Sequence, residues 1–153
     1  MKILLPVDGS EPALAAVRHA LSLLNTGLKA TFVLATVQEP VYLYEMMLPP
    51  AAEVLERVTG AEGGKALASA EALFNAAGVP YEREIGSGDP APVLIDLARR
   101  HHCDAIIMGA RGLGALRSAL LGSVSQRVVL EVGVPVTLVK QAQTHPLRDL
   151  LGG

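Results

Sequence analysis

Five strand-like runs alternate with four helix-like segments along this chain, and that alternation is its strongest constraint. Lys2 to Val7 is apolar and closed by Asp8-Gly9-Ser10, which predicts a buried strand and a turn. Ala30 to Val37 is a second apolar run, rich in β-branched residues. Tyr81 to Ile85 alternates as a more exposed third strand, and Asp104 to Met108 and Pro135 to Lys140 complete the set. Helical spacing of apolar residues fills the gaps at Ala13–Leu24, Ala51–Ala77, Pro90–Arg100 and Ser123–Glu131. Strands and helices in strict alternation demand right-handed crossovers, and so an α/β fold: one parallel sheet with helices on both faces.

Local punctuation agrees. Ser10 is placed to cap the first helix, with Glu11 and Pro12 in its first turn, and Asn25-Thr26-Gly27 stops it. Asp89-Pro90 offers an N-cap and a proline at the first helical position of the third. Gly133 is the expected terminator of the fourth. Gly60, Gly63 and Gly64 weaken the first half of the second helix and leave room for a break. Residues 38–50 form a longer connection containing Tyr42, Tyr44, Met46 and Met47, expected to pack on the protein's own edge.

The 153 residues suit a single domain with a proper core. Half are hydrophobic but only 3% are aromatic, so that core is expected to be aliphatic. A net charge of −2 provides no basic field for nucleic acid or anionic membrane. No run approaches the ~20 apolar residues of a membrane helix, and the N-terminal run is too short for a signal peptide. One cysteine, Cys103, excludes an internal disulfide and suits a reducing cytoplasm. A soluble cytoplasmic domain is the expectation.

Function is written most densely in Gly109-Ala-Arg-Gly112, Gly122-Ser123-Val124-Ser125 and the nine residues between them. A strand that ends in a glycine-rich loop and re-enters a helix through Gly-Ser is a phosphate-binding arrangement. Glycine lets backbone approach a ligand closely, and free N–H groups at a helix start face the anion. The spacing Gly-x2-Gly-x9-Gly-Ser is neither a Walker A loop nor a Rossmann fingerprint. Arg111 either pairs with phosphate or is a solvated loop charge, and Arg117 is expected to be the latter. Across the crevice, if the first and fourth strands are neighbours, lies Asp8. A carboxylate at a strand's carboxyl end binds a ribose hydroxyl, helps hold a divalent cation, or merely shapes the turn.

Pro6-Val7-Asp8-Gly9-Ser10, Gly88-Asp89-Pro90, the Asp104–Gly112 segment, Leu121–Ser125 and Pro135–Val139 resemble the universal stress protein (UspA-type) family. The resemblance runs over residues 1–140, taken as one domain, and leaves 141–153 as a C-terminal tail. Its glycine-serine signature marks the family's nucleotide-binding branch. It implies a five-stranded parallel sheet of order 3-2-1-4-5, of the adenine-nucleotide alpha-hydrolase-like kind, and ATP as ligand. Pro6 and Val7 would lie near adenine and Val37 would meet it through its backbone, with Met108 and Gly109 beside base and ribose. Gly112, Gly122, Ser123, Val124 and Ser125 would cradle the phosphates. Asp8 would meet ribose or a nucleotide-bound Mg2+. Ala110 departs from the commoner Ser. The resemblance also implies a homodimer through the last strand, 135–140, whose edge would otherwise be exposed.

No catalytic constellation accompanies the loop: no Ser-His-Asp order, no paired carboxylates and no dedicated base. Adjacent His101 and His102 with a lone Cys103 do not make a zinc pattern, and Cys103 is a structural or mildly reactive thiol. The chain is therefore expected to be an ATP-binding stress-response module with at most weak ATPase activity. The alternatives are a slow ATP hydrolase or phosphotransferase, or an interaction protein with an empty site or another adenine nucleotide.

Overall fold

A computed structural model of the chain describes residues 1–39, 52–111 and 121–141, with 52–62 as backbone only. Gly112, Arg117, the Tyr42–Met47 cluster and the tail beyond 141 lie outside the described residues. Nine elements follow in order: β1 Lys2–Pro6, α1 Glu11–Leu24, β2 Thr31–Gln38, α2 Ala52–Ala77, β3 Glu82–Ser87, α3 Pro90–Arg100, β4 Ala105–Gly109, α4 Ser123–Glu131 and β5 Val136–Val139. The strands form one sheet of order β3-β2-β1-β4-β5, parallel throughout. Leu4 is in register with Val33 on one side and Ile106 on the other, so β1 and β4 are adjacent at the centre.

Alternation along the strands divides the interior in two. Ile3, Leu5, Phe32 and Leu34 face a core built with Ala16, Val17 and Ala20 of α1 and Leu67, Ala70 and Phe74 of α2. Leu4, Val33, Ala35, Ile106 and Met108 face the other, with Leu94 and Leu97 of α3 and Val128 of α4. Both faces of the central strands are covered, which is why those strands read as continuous apolar runs. The first core is not wholly aliphatic. Phe74 meets Phe32 edge-on at 5.3 Å and Tyr81 edge-on at 5.4 Å, joining α2 to β2 and to the approach to β3.

Where three glycines left room for a break, α2 runs unbroken for 26 residues. Gly63 has a packing reason: a Cβ there would stand 2.7 Å from Ile85 Cγ2, so its absence lets α2 lie close on β3. Ser10 caps α1 as expected, its Oγ accepting the Ala13 N–H at 3.4 Å. Asp89 occupies the N-cap of α3 without capping it through its side chain. Its Oδ2 instead accepts from Arg127 Nη1 at 2.8 Å, tying α3 to α4. The C-cap of α4 is Val132, one residue before the expected Gly133.

At the amino ends of the strands, a cluster of charges fastens α3 to the sheet. His101, the C-cap of α3, has Nδ1 3.0 Å from Glu82 Oε2 and Nε2 2.8 Å from Glu84 Oε1. Lys2 Nζ donates to Glu82 Oε1 at 3.2 Å, and the Lys2 backbone N–H donates to Asp104 Oδ2 at 2.8 Å. Beside this cluster Cys103 is buried, and burial pushes its thiol above the ordinary value. Of the two roles weighed for it, the structural one fits. No helix among the described residues is long and apolar enough to cross a membrane.

Candidate functional site

Parallel sheets bring ligands to the carboxyl ends of their strands, at the point where strand order reverses. Here the reversal falls between β1 and β4, and a cleft of about 660 Å³ opens there. That volume suits a small-molecule ligand. Pro6, Val7, Asp8 and Gly9 leave β1 into the cleft, Ala35 to Glu39 leave β2, and Met108, Gly109 and Arg111 leave β4. The start of α4 supplies Gly122, Ser123, Val124 and Ser125. Of the residues that the resemblance assigns to a ligand, together with Arg111, all line this cleft except Gly112, which lies outside the described residues.

Their detailed work differs in places from what the sequence suggested. Gly109 is glycine chiefly because of α1: a Cβ there would stand 2.8 Å from the Pro12 carbonyl carbon and 2.9 Å from its oxygen. The bare backbone permits β4 to pass under the first turn of α1. Ser125 is buried, and its Oγ lies 2.9 Å from both the Ala110 and Gly122 carbonyl oxygens, to which it donates. That hydroxyl proton fastens the loop rather than facing a ligand. The Gly122 N–H donates to the Ala110 carbonyl at 2.8 Å, so Gly122 also pins the loop to the end of β4.

These ties fix the direction of α4. Its first intrahelical bond runs from Gln126 N–H to the Gly122 carbonyl at 3.0 Å. The N–H groups of Ser123, Val124 and Ser125 precede any helical acceptor, and Gly122 at the N-cap has no side chain to satisfy them. They are donors at the positive end of a helix, beside the cleft.

On the opposite side Asp8 Oδ1 accepts the Ser10 N–H at 2.9 Å, holding the turn into α1. Gly9 takes φ of +84°, a left-handed conformation that glycine adopts without strain. Asp8 therefore shapes the turn and lines the cleft at once, so its two readings are compatible. Apolar walls come from Val7, Val37, Leu94 and Met108.

Several lining residues carried no signal in the sequence. Thr36 lies inside the expected second strand, Gln38 is the one residue by which β2 outruns its expected end, and Glu39 follows it. Lys65 and Ala66 come from α2, and Pro90 and Leu94 from α3. Counting back from a helix's packed face would have found the last four, had the crossings of α2 and α3 over the sheet been known. Glu39 is a second acidic residue lining the cleft.

Comparison with known proteins places this geometry. The sequence model of the universal stress protein family matches residues 1–140. A universal stress protein encoded in the QAH/OAS sulfhydrylase 3' region of Thermus aquaticus is 40% identical over 141 residues, covering 90% of this chain and 97% of that one. Among solved structures, universal stress protein UspA from Lactobacillus plantarum superposes with a TM-score of 0.74 at 26% identity, over 91% of this chain and 97% of that one. A universal stress protein family member from Arabidopsis thaliana, solved with AMP bound, shares the fold with a TM-score of 0.65 at 22% identity, over 93% and 92% of the two chains.

Proposed function

The chain belongs to the universal stress protein family, and from that premise we propose that its cleft binds ATP and that the protein acts as a cytoplasmic, nucleotide-responsive stress module. One observation carries this reading. The three first-turn N–H groups of α4 precede any helical acceptor, beside a cleft that Val7, Val37, Leu94 and Met108 line together with Asp8. Donors at a helix start suit phosphate oxygens. Val7, Val37, Leu94 and Met108 suit a flat adenine, and Asp8 suits a ribose hydroxyl or a magnesium ion arriving with the nucleotide. The AMP bound to the Arabidopsis relative belongs to that protein, and supports the choice of an adenine nucleotide here.

Holding fits the residues better than cutting does. Phosphate hydrolysis needs a water positioned in line and charge neutralised on the leaving group. Asp8 already accepts the Ser10 N–H, and the three α4 amides would bind ground-state phosphate as well as a transition state. The module would be a homodimer through residues 135–140, where β5 is an edge strand of the sheet. Light scattering at micromolar concentration tests that, with a monomer as the contrary result.

The deciding experiment is thermal denaturation with and without Mg-ATP, paired with mass spectrometry of whatever small molecule is released on unfolding. A ligand at a hundred times its dissociation constant stabilises by about 2.7 kcal/mol, and Gly122→Val is expected to abolish that gain. No shift with ATP, ADP or AMP and no released nucleotide would remove the proposal.

A further inference from the structure

The charge in the cleft does not all come from the glycine loop. Lys65 stands on α2, twelve residues before its end, and lines the cleft from the face of the sheet covered by α1 and α2. Its backbone is held on both sides. Gly63 lies against Ile85, Leu67 is buried in the core, and a Cβ on Gly9 would stand 3.7 Å from the Cα of Ala66. The lysine side chain itself is exposed, and among the described residues no hydrogen bond or ion pair engages its ammonium. Arg111 lines the same cleft after β4, on the route to α4, which covers the other face. Two cationic residues thus line the cleft, one anchored on a long helix and one at the exit of β4.

We infer that Lys65 is a specificity residue of this site, whose ammonium responds to the number of phosphates on the ligand. The inference rests on the nucleotide-binding proposal above. A lysine ammonium is a compact point charge on a flexible stem, so it attracts in proportion to ligand charge and imposes little geometry. The α4 amides provide a fixed number of donors whatever the length of the phosphate chain. Lys65 adds an increment that grows from mono- to di- to triphosphate and vanishes for the neutral nucleoside. Being exposed, it is open to screening by salt.

Calorimetric titration of the full chain with ATP, ADP, AMP and adenosine, at low and high salt, tests this. Lys65→Met keeps the apolar stem and removes the charge. For this variant ATP affinity is expected to fall about tenfold, the size of one charge-assisted contact. ADP should lose less, AMP less again and adenosine nothing, and the ATP deficit should shrink at high salt. Lys65→Arg should retain the grading, which guards against a trivial loss of folding in the first variant. An equal loss for all four ligands, or none for ATP, overturns the role of Lys65 and leaves nucleotide binding standing. Wild-type protein that binds none of the four overturns the nucleotide proposal itself, and the inference with it.

Discussion

Gly109 and Pro12 touch backbone to backbone: a Cβ on the glycine would stand 2.8 Å from the proline's carbonyl carbon. The contact joins the end of the central strand β4 to the first turn of α1, beneath the wall of the cleft. Because the obstacle is main chain, no rotamer change relieves it. Gly109→Ala is therefore expected to destabilise the protein by about 1–3 kcal/mol, the range for overpacking a close-packed site. Urea denaturation measures this, and a midpoint equal to that of the wild type would show that the crossing is looser than described.

Gly63 and Ile85 give a contrasting case, since the atom in the way there is a side chain. Gly63→Ala should destabilise when Ile85 is present and much less in an Ile85→Ala background. The double-mutant cycle should return a coupling of about 0.5–3 kcal/mol. Additive effects would mean that α2 shifts bodily and that Gly63 serves no close approach.

Ser125→Ala separates loop fastening from ligand contact. Removing a buried hydroxyl that donates within the loop should cost about 1 kcal/mol in the ligand-free protein. Differential scanning calorimetry without nucleotide reads that cost directly. A stability unchanged without ligand, accompanied by lost ATP binding, would instead assign the hydroxyl to the ligand.

Acid should loosen the opposite end of the sheet. The Lys2 ammonium, donating to Glu82, is the chief cause holding that carboxyl below its ordinary value of 4.5, with His101 adding to it. A carboxyl lowered on folding contributes stability that is fully present above the ordinary value and is lost as pH falls through the folded one. Glu82 is 56% exposed, so the contribution is small and best read as a difference. Stability measured from about pH 6 to pH 3 should fall less steeply for Glu82→Gln than for wild type. Parallel curves would show that the ion pair does nothing for folding.

Strand alternation and the positions of Ser10 and Pro90 made most of the architecture legible, because those signals are local. The strands closed by Asp8 and by Gly109 were found for the same reason. Harder to read were features set by one element crossing another. Gly63 looked like a helix breaker and is a close contact, and Gly109 looked like a ligand-facing glycine and is also a crossing point. Asp89 carries the composition of a cap yet serves Arg127, a partner 38 residues away. Lys65 and Leu94 reach the cleft only because of where α2 and α3 cross the sheet, and nothing in their own neighbourhoods announces it.

Leu4 and Leu5 are adjacent in the chain and belong to different cores. The same partition runs out to the cleft, where Lys65 and Ala66 are carried by one helical layer and Pro90 and Leu94 by the other. Sequence drift within one layer thus alters one side of the cleft and leaves its counterpart intact. A lineage built on this plan is free to change the two sides at separate times, with β1 and β4 as the shared spine.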